Sequence, residues 1–169
     1  MYVFRIDKFY RYAQILFFIG CVVLFFSNLA NAEYIVTFIT ASAVIVTLLL
    51  AIYSWSIRVE IADGILTKSS IFGKRIIPLG EIDEITHMSL MGRYVFLLIT
   101  PTSYTTVSSL MENFLTLSER VKENVTEKAY ASMGKITPKM LRKKNIFMQV
   151  VMILAIVLCF AAAVYTIIQ

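Results

Sequence analysis

Three stretches of this chain leave no room for charge, and they limit every fold it can take. Ala13 to Asn28 contains no ionisable side chain except Cys21, and Tyr34 to Ser56 contains none beyond its tyrosines. Ile146 to Ile168 is interrupted only by Gln149, Cys159 and Tyr165. A helix needs about 20 apolar residues to cross a hydrocarbon core, so the last two blocks are long enough and the first just reaches that length. The whole chain is 59% hydrophobic and only 16% charged, with a mean hydropathy of +0.76. The expectation is an integral membrane protein with three transmembrane helices and the lipid bilayer as its first partner.

The first block admits a rival reading. Ala30 and Ala32 stand in an A-x-A arrangement after a basic and then an apolar segment, as at a signal-peptide cleavage site. The polar loop between the first two blocks serves equally well as the turn of a two-span hairpin, and retention is the expectation. A lipoprotein reading of the Phe18-Ile19-Gly20-Cys21 stretch is weaker, because Phe18 is bulky and Val22 to Phe26 continue the span.

Orientation follows from the cations. Every Lys and Arg is either Arg5, Lys8 or Arg11, or falls between Arg58 and Lys144, and the loop from Ser27 to Glu33 has none. The positive-inside rule places the N-terminus and the middle segment in the cytoplasm, with that loop and Gln169 outside. The formal charge of +5 is explained by these flanks, so no nucleic-acid partner is expected. Cys21 and Cys159 fall inside apolar blocks and read as small hydrophobes, not as a disulfide or metal pair.

The middle segment reads as one small domain. Trp55, Ile57, Val59 and Ile61 alternate with Ser56, Arg58, Glu60 and Ala62, the period of a half-buried strand. Asp63-Gly64 suits a tight hairpin, Ile65 to Phe72 returns, and Gly73-Lys74 turns again. Arg75 to Leu79 is a short strand whose Pro78 suggests an edge or a bulge. Ile82 and Ile85 suit one helical turn or a kinked strand entry, and Ile85 to Ser89, Arg93 to Thr100 and Tyr104 to Ser108 read as extended. Ser109-Leu110-Met111-Glu112 then fits a capping box, predicting a helix with an apolar stripe of Leu110, Phe114, Leu117, Val121 and Val125. The predicted core is Trp55, Val59, Ile61, Leu79, Ile85, Val95, Leu97, Phe114, Leu117 and Val121.

The ordered run "VEIADGILTKSSIFGKRIIPLGEIDEI", "GRYVFLLIT" and "VSSLMENFLTLSERVKENV" resembles the pleckstrin-homology (PH) domains of small bacterial membrane proteins. The matching features are the Asp63-Gly64 hairpin, the Ile77-Pro78-Leu79 strand end, the turn at Glu81, Ile82 and Ile85, and the helix start at Ser108, Ser109, Glu112 and Asn113. The resemblance covers Trp55 to about Val125. It implies an α+β membrane protein with an antiparallel β-barrel or sheet, capped by one C-terminal amphipathic helix. The division expected is a two-span hairpin over 1–55, a cytoplasmic PH-like domain over 56–126, a basic linker over 127–145 and a last span over 146–169. In a bacterial cell this places the chain in the inner or plasma membrane.

Function is narrower in class than in detail. Headgroup-binding PH domains use a basic loop between their first two strands, and here that loop reads as Asp63-Gly64, which is short and acidic. Lys68, Lys74 and Arg75 could form a small basic surface, although basic residues on strands more often blunt a sheet edge. His87 is the only histidine and has no nucleophile or metal partner by spacing. Glu81, Asp83 and Glu84 read as a solvated turn, and the six glycines form no phosphate-binding motif. No catalytic residue, metal or cofactor is expected. The first reading is a membrane-anchored binding or scaffold module for a protein partner, for a homo-oligomer or as an accessory subunit. The alternative is an anionic-lipid-binding module, and a membrane enzyme with an unrecognised site comes third.

Two further features bear on these readings. Ala43, Thr47 and Ala51, and Ala155, Cys159 and Ala163, recur at helical spacing and suit close helix packing, first among the chain's own spans. Lys135 to Asn145 carries five basic residues and no acidic one. Thr137 can cap and Pro138 suits a first helical position, so Lys139, Arg142, Lys143 and Lys144 are expected at headgroup level, as topology flank or as anionic-lipid contacts.

Overall fold

The computed structural model describes residues 1–31, 34–90, 93–130 and 137–168. Ala32, Lys135 and Gln169 of the sequence reading lie outside the described residues. The order of elements is β1 (Tyr2–Arg5), α1 (Lys8–Ala30), α2 (Tyr34–Ser56), β2 (Arg58–Ala62), β3 (Ile65–Ser70), β4 (Gly73–Pro78), a 3-10 turn (Leu79–Glu81), β5 (Glu84–Leu90), β6 (Arg93–Ile99), β7 (Tyr104–Ser108), α3 (Phe114–Glu123), α4 (Glu127–Tyr130) and α5 (Pro138–Ile168). Two compact units result, one of Met1–Asp7 with Ser56–Met148, the other of Lys8–Trp55 with Gln149–Gln169.

The first unit holds two antiparallel sheets, β1-β2-β3-β4 and β5-β6-β7. In the first sheet Phe4 faces Val59, Ile61 faces Leu66 and Leu66 faces Ile77 across neighbouring strands, so these residues share one face. All five are buried, which makes this the hydrophobic face. The hairpin at Asp63-Gly64 forms as expected, with φ of 51° and 73°, the paired positive values of a tight two-residue turn. In the second sheet the Phe96 ring meets Phe114 of α3 at 4.6 Å, and Leu117 and Val121 continue the buried stripe of that helix.

Several expectations are corrected. The strands do not close into a barrel: among the described residues no ladder joins β4 to β5 or β1 to β7. Pro78 ends β4 without an N–H to donate, and the 3-10 turn then redirects the chain. The second hairpin turns at Ile71-Phe72, two residues before Gly73-Lys74, because Ser70 Oγ accepts from Phe72 N at 3.2 Å and Gly73 re-enters the strand at a φ of 127°. Trp55 is no core residue of the β-domain. The helical ladder of α2 continues through Ser56, leaving Trp55 46% exposed, with the Tyr12 ring edge-on and the Arg11 guanidinium 5.4 Å from its centroid. Leu97 is only half-buried, whereas Phe96 and Leu98 on the opposite face of β6 are fully buried.

The helix also starts later than the capping box predicts. Ser109 is drawn into the second sheet, its N–H donating to Tyr94 O at 2.8 Å and its Oγ accepting from Tyr94 N at 3.0 Å. Asn113 then takes a left-handed φ of 52°, so α3 begins at Phe114 and Leu110 stays outside it. Val125 falls beyond its end and is half-buried. At α5 the expected start holds: Thr137 Oγ1 accepts from Met140 N at 3.3 Å, with Pro138 at the first helical position.

The second unit is helical. α1, α2 and α5 are each long and apolar enough to cross a membrane. A Cβ placed on Gly20 would sit 3.3 Å from Cys159 Sγ and from the Phe160 ring, so glycine allows α1 and α5 to meet closely. Cys159 Sγ donates to Cys21 Sγ at 3.8 Å there, and the two form no disulfide. Of the small-residue stripes, Thr47, Ala51 and Ala163 are buried and Ala43, Ala155 and Cys159 half-buried. Thr40 and Thr47 return their hydroxyls to Val36 O and Ala43 O, which satisfies them without water.

Candidate functional site

Tyr2–Arg5, read from sequence only as part of a basic flank, form a strand. β1 pairs with β2 from Tyr2 opposite Ile61 to Arg5 opposite Arg58. Beyond Arg5 the backbone pairing continues, with Asp7 N donating to Leu110 O and Glu112 N to Arg5 O, both at 2.8 Å. The Arg120 guanidinium covers the Tyr2 ring at 4.4 Å. The signal was present in the sequence: Tyr-Val-Phe-Arg-Ile is β-rich, with Phe4 and Ile6 buried and Val3 and Arg5 exposed at period two.

This pairing means that the two-span hairpin is inserted between adjacent strands of one sheet. Only Ile6 and Asp7 separate β1 from α1, and only Ile57 separates α2 from β2. One end of the sheet is therefore the end at which the chain enters α1 and leaves α2. Across that end the register sets Arg5 opposite Arg58, Arg58 opposite Ser69, and Ser69 opposite Lys74. Arg58 is partly neutralised by Glu60 at 2.5 Å, while Arg5 and Lys74 are exposed. The Ile71-Phe72 turn projects past this row, and Ile71 N donates to Oγ of Ser56, the last residue of α2, at 3.1 Å. Phe72 is 82% exposed.

Of the residues singled out from sequence, Lys68 and Arg75 stand opposite each other, on the buried face of the first sheet beside Val59. Both are tied to the second sheet by hydrogen bonds, although Arg75 stays exposed. Lys68 Nζ donates to Thr106 O at 2.7 Å and approaches Thr106 Oγ1 at 3.4 Å, and Arg75 donates to Tyr104 O at 2.6 Å. Both acceptors belong to β7, an edge strand with a free row of carbonyls, so the two cations bridge the sheets where no backbone ladder does. Burial, and then the charge of Arg75, hold the Lys68 ammonium below its ordinary pKa. Lys74 and Arg75 are both exposed, and Lys68 is half-buried.

The juxtamembrane cations divide similarly. Lys139, Arg142 and Lys143 are exposed on the first turns of α5. Lys144 turns to the β-domain, donating to Ser89 Oγ and lying 4.6 Å from the centre of the Tyr94 ring. At the other end of the first sheet, Gly64 O accepts from Leu79 N, bringing the Asp63-Gly64 turn to the 3-10 turn. Asp63, Glu81, Asp83 and Glu84 are exposed around it. Among the described residues no three His, Cys, Asp or Glu side chains converge as metal ligands. His87 is half-buried on β5, its ring 6.0 Å from Tyr94.

Comparison with protein-family models, with curated proteins and with solved structures finds no match to this chain.

Proposed function

We propose that the chain is a membrane-anchored binding module, a PH-like domain held at the cytoplasmic face of the membrane for a protein partner. Two antiparallel sheets followed by the amphipathic helix α3 support the resemblance read from the sequence. The observation that carries the functional reading is the separation of charge along the first sheet. Arg5, Arg58 and Lys74 gather at the end joined to α1 and α2, and Asp63 and Glu81 at the other, with Asp83 and Glu84 following where the chain enters the second sheet. The basic end complements an anionic bilayer surface, which leaves the acidic end, with the exposed Ile65 beside it, to meet a partner from the aqueous side.

Of the seven residues offered for the lipid-binding alternative, Lys68 and Arg75 are engaged with β7 carbonyls and Lys144 with Ser89, while Lys74, Lys139, Arg142 and Lys143 are exposed. A homo-oligomer is the second protein-binding possibility, through the helices. The test is purification of the full chain from gently solubilised membranes, wild type beside a Glu81→Lys, Asp83→Lys and Glu84→Lys variant. A stoichiometric companion lost from the variant alone supports the reading. Identical companions, or only the chain itself in both, would sink it.

A further inference from the structure

We infer that Cys21 and Cys159 form a redox site inside the membrane, a dithiol that a lipid-soluble quinone oxidises to a disulfide joining α1 to α5. They are the only cysteines in the sequence. Cys159 Sγ donates to Cys21 Sγ at 3.8 Å, so the two sulfurs are already in contact, and a disulfide requires them to close to about 2 Å. The surrounding packing holds them there. A Cβ on Gly20 would lie 3.3 Å from Cys159 Sγ and from the Phe160 ring, so the helix surfaces touch where α1 carries no side chain. Just past the end of α1, Asn31 Nδ2 donates to Thr166 O at 2.9 Å, which fixes the same register of α1 against α5.

Their depth selects the oxidant. Cys21 stands nine residues before Ala30, the end of α1, and Cys159 nine before Ile168, the end of α5. At roughly 1.5 Å per residue both lie about 14 Å from the helix ends, near the middle of a hydrocarbon core about 30 Å thick. Glutathione and other water-borne thiols and disulfides do not enter there, and a charged thiolate is costly in hydrocarbon. The two protons must therefore leave together with the two electrons. A quinone accepts both: two S–H bonds break, one S–S bond forms, and the two quinone carbonyls become the hydroxyls of a hydroquinone. Cys21 is buried and Cys159 half-buried, so the quinone reaches the pair from the Cys159 side. The disulfide ties the first span to the last, and its formation follows the oxidation state of the quinone in the bilayer.

This inference rests on α1 and α5 being membrane spans and is independent of any protein partner. The test uses the full reduced chain in phosphatidylcholine vesicles, exposed either to a fully substituted benzoquinone with a long alkyl tail or to oxidised glutathione in the water. Free thiols are counted by intact mass after denaturation and alkylation, and hydroquinone by its absorbance. With the quinone, the wild type should lose both alkylation sites and two hydrogens within one chain and release one hydroquinone per chain, while oxidised glutathione changes nothing. Cys21→Ser and Cys159→Ser should each keep the remaining thiol and release no hydroquinone. Val157→Cys in a Cys159→Ala background moves the second thiol two residues, about 200°, round α5 to an exposed position, and should stay reduced. Two thiols still open to alkylation after quinone treatment, a disulfide between two chains, or equal oxidation of the Val157→Cys variant would overturn the inference. Equal oxidation by oxidised glutathione would also overturn it, because the pair would then lie within reach of water.

Discussion

Phe4→Ala tests whether the first residues of the chain are part of the β-domain. Phe4 is 5% exposed, stands opposite the fully buried Val59, and lies 54 positions before Arg58, where the next strand of its sheet begins. A buried phenylalanine removes about 150–200 Å² from water, worth about 4 kcal/mol at roughly 25 cal/mol per Å². Phe-to-Ala changes in cores cost about 3–5 kcal/mol once the cavity is included. Against a domain stability of about 5–15 kcal/mol, the variant should lose a large share of the folded population's margin. Val3→Ala is the matched control: the side chain points to the other face, is exposed, and should change stability by about 0.5 kcal/mol or less. Pulse proteolysis of the full chain in detergent across a urea series reads both. Equal midpoints for Phe4→Ala and Val3→Ala would refute the strand assignment.

Other outcomes follow from the same packing. Phe114→Ala, which removes one ring of the pair with Phe96, should cost about 3–5 kcal/mol by the same assay. Ser109→Ala strips the acceptor from a buried Tyr94 N–H and should cost about 1–3 kcal/mol, although a capping role would have made the loss smaller and confined it to α3. Lys68 carries a pH signature. Its folded-state pKa lies below the ordinary 10.5, so the unfolded chain holds that proton more tightly, and this group's contribution to stability rises as pH climbs from the lowered value towards 10.5. Denaturation midpoints measured across that alkaline window should rise less steeply in Lys68→Met than in wild type. For topology, reporter fusions at Asn31 and after Gln169 should both read external, and a cytoplasmic signal after Gln169 would contradict the proposed orientation.

The spans were legible because a bilayer imposes one strong rule, length without charge, and α1, α2 and α5 all contain the blocks that rule selects. Strand positions were legible where period two or a turn pair was clear, as at Val59, Ile61 and Asp63-Gly64. Strand β1 was not assigned, because a five-residue β-rich stretch beside a span reads as flank when its partner lies beyond two helices in sequence. Ser109 misled for a related reason: a local capping pattern competes with a tertiary hydrogen bond to Tyr94, which the sequence around it does not reveal. Leu97 was chosen on alternation, but β6 is the middle strand of its sheet and buries Tyr94, Val95 and Phe96 in succession, so alternation does not mark its core face. For the site residues the sequence marked charge but not direction. Lys68 and Arg75 stand on the buried face, and only the register of β3 and β4 makes that evident.

The central claim is that one β-sheet brackets the two-span hairpin, and a disulfide measures it directly in the intact chain. With Cys21→Ala and Cys159→Ala as background, Val3→Cys with Glu60→Cys places two thiols on directly opposed residues of β1 and β2. Opposed strand residues have Cβ atoms about 4.5–5.5 Å apart, close to disulfide reach, whereas a partner shifted by two residues is about 7–8 Å away. Mild oxidation in membranes should cross-link the Val3 and Glu60 pair rapidly and leave Val3→Cys with Ala62→Cys largely reduced. Equal cross-linking of both pairs, or none in either, would contradict the account.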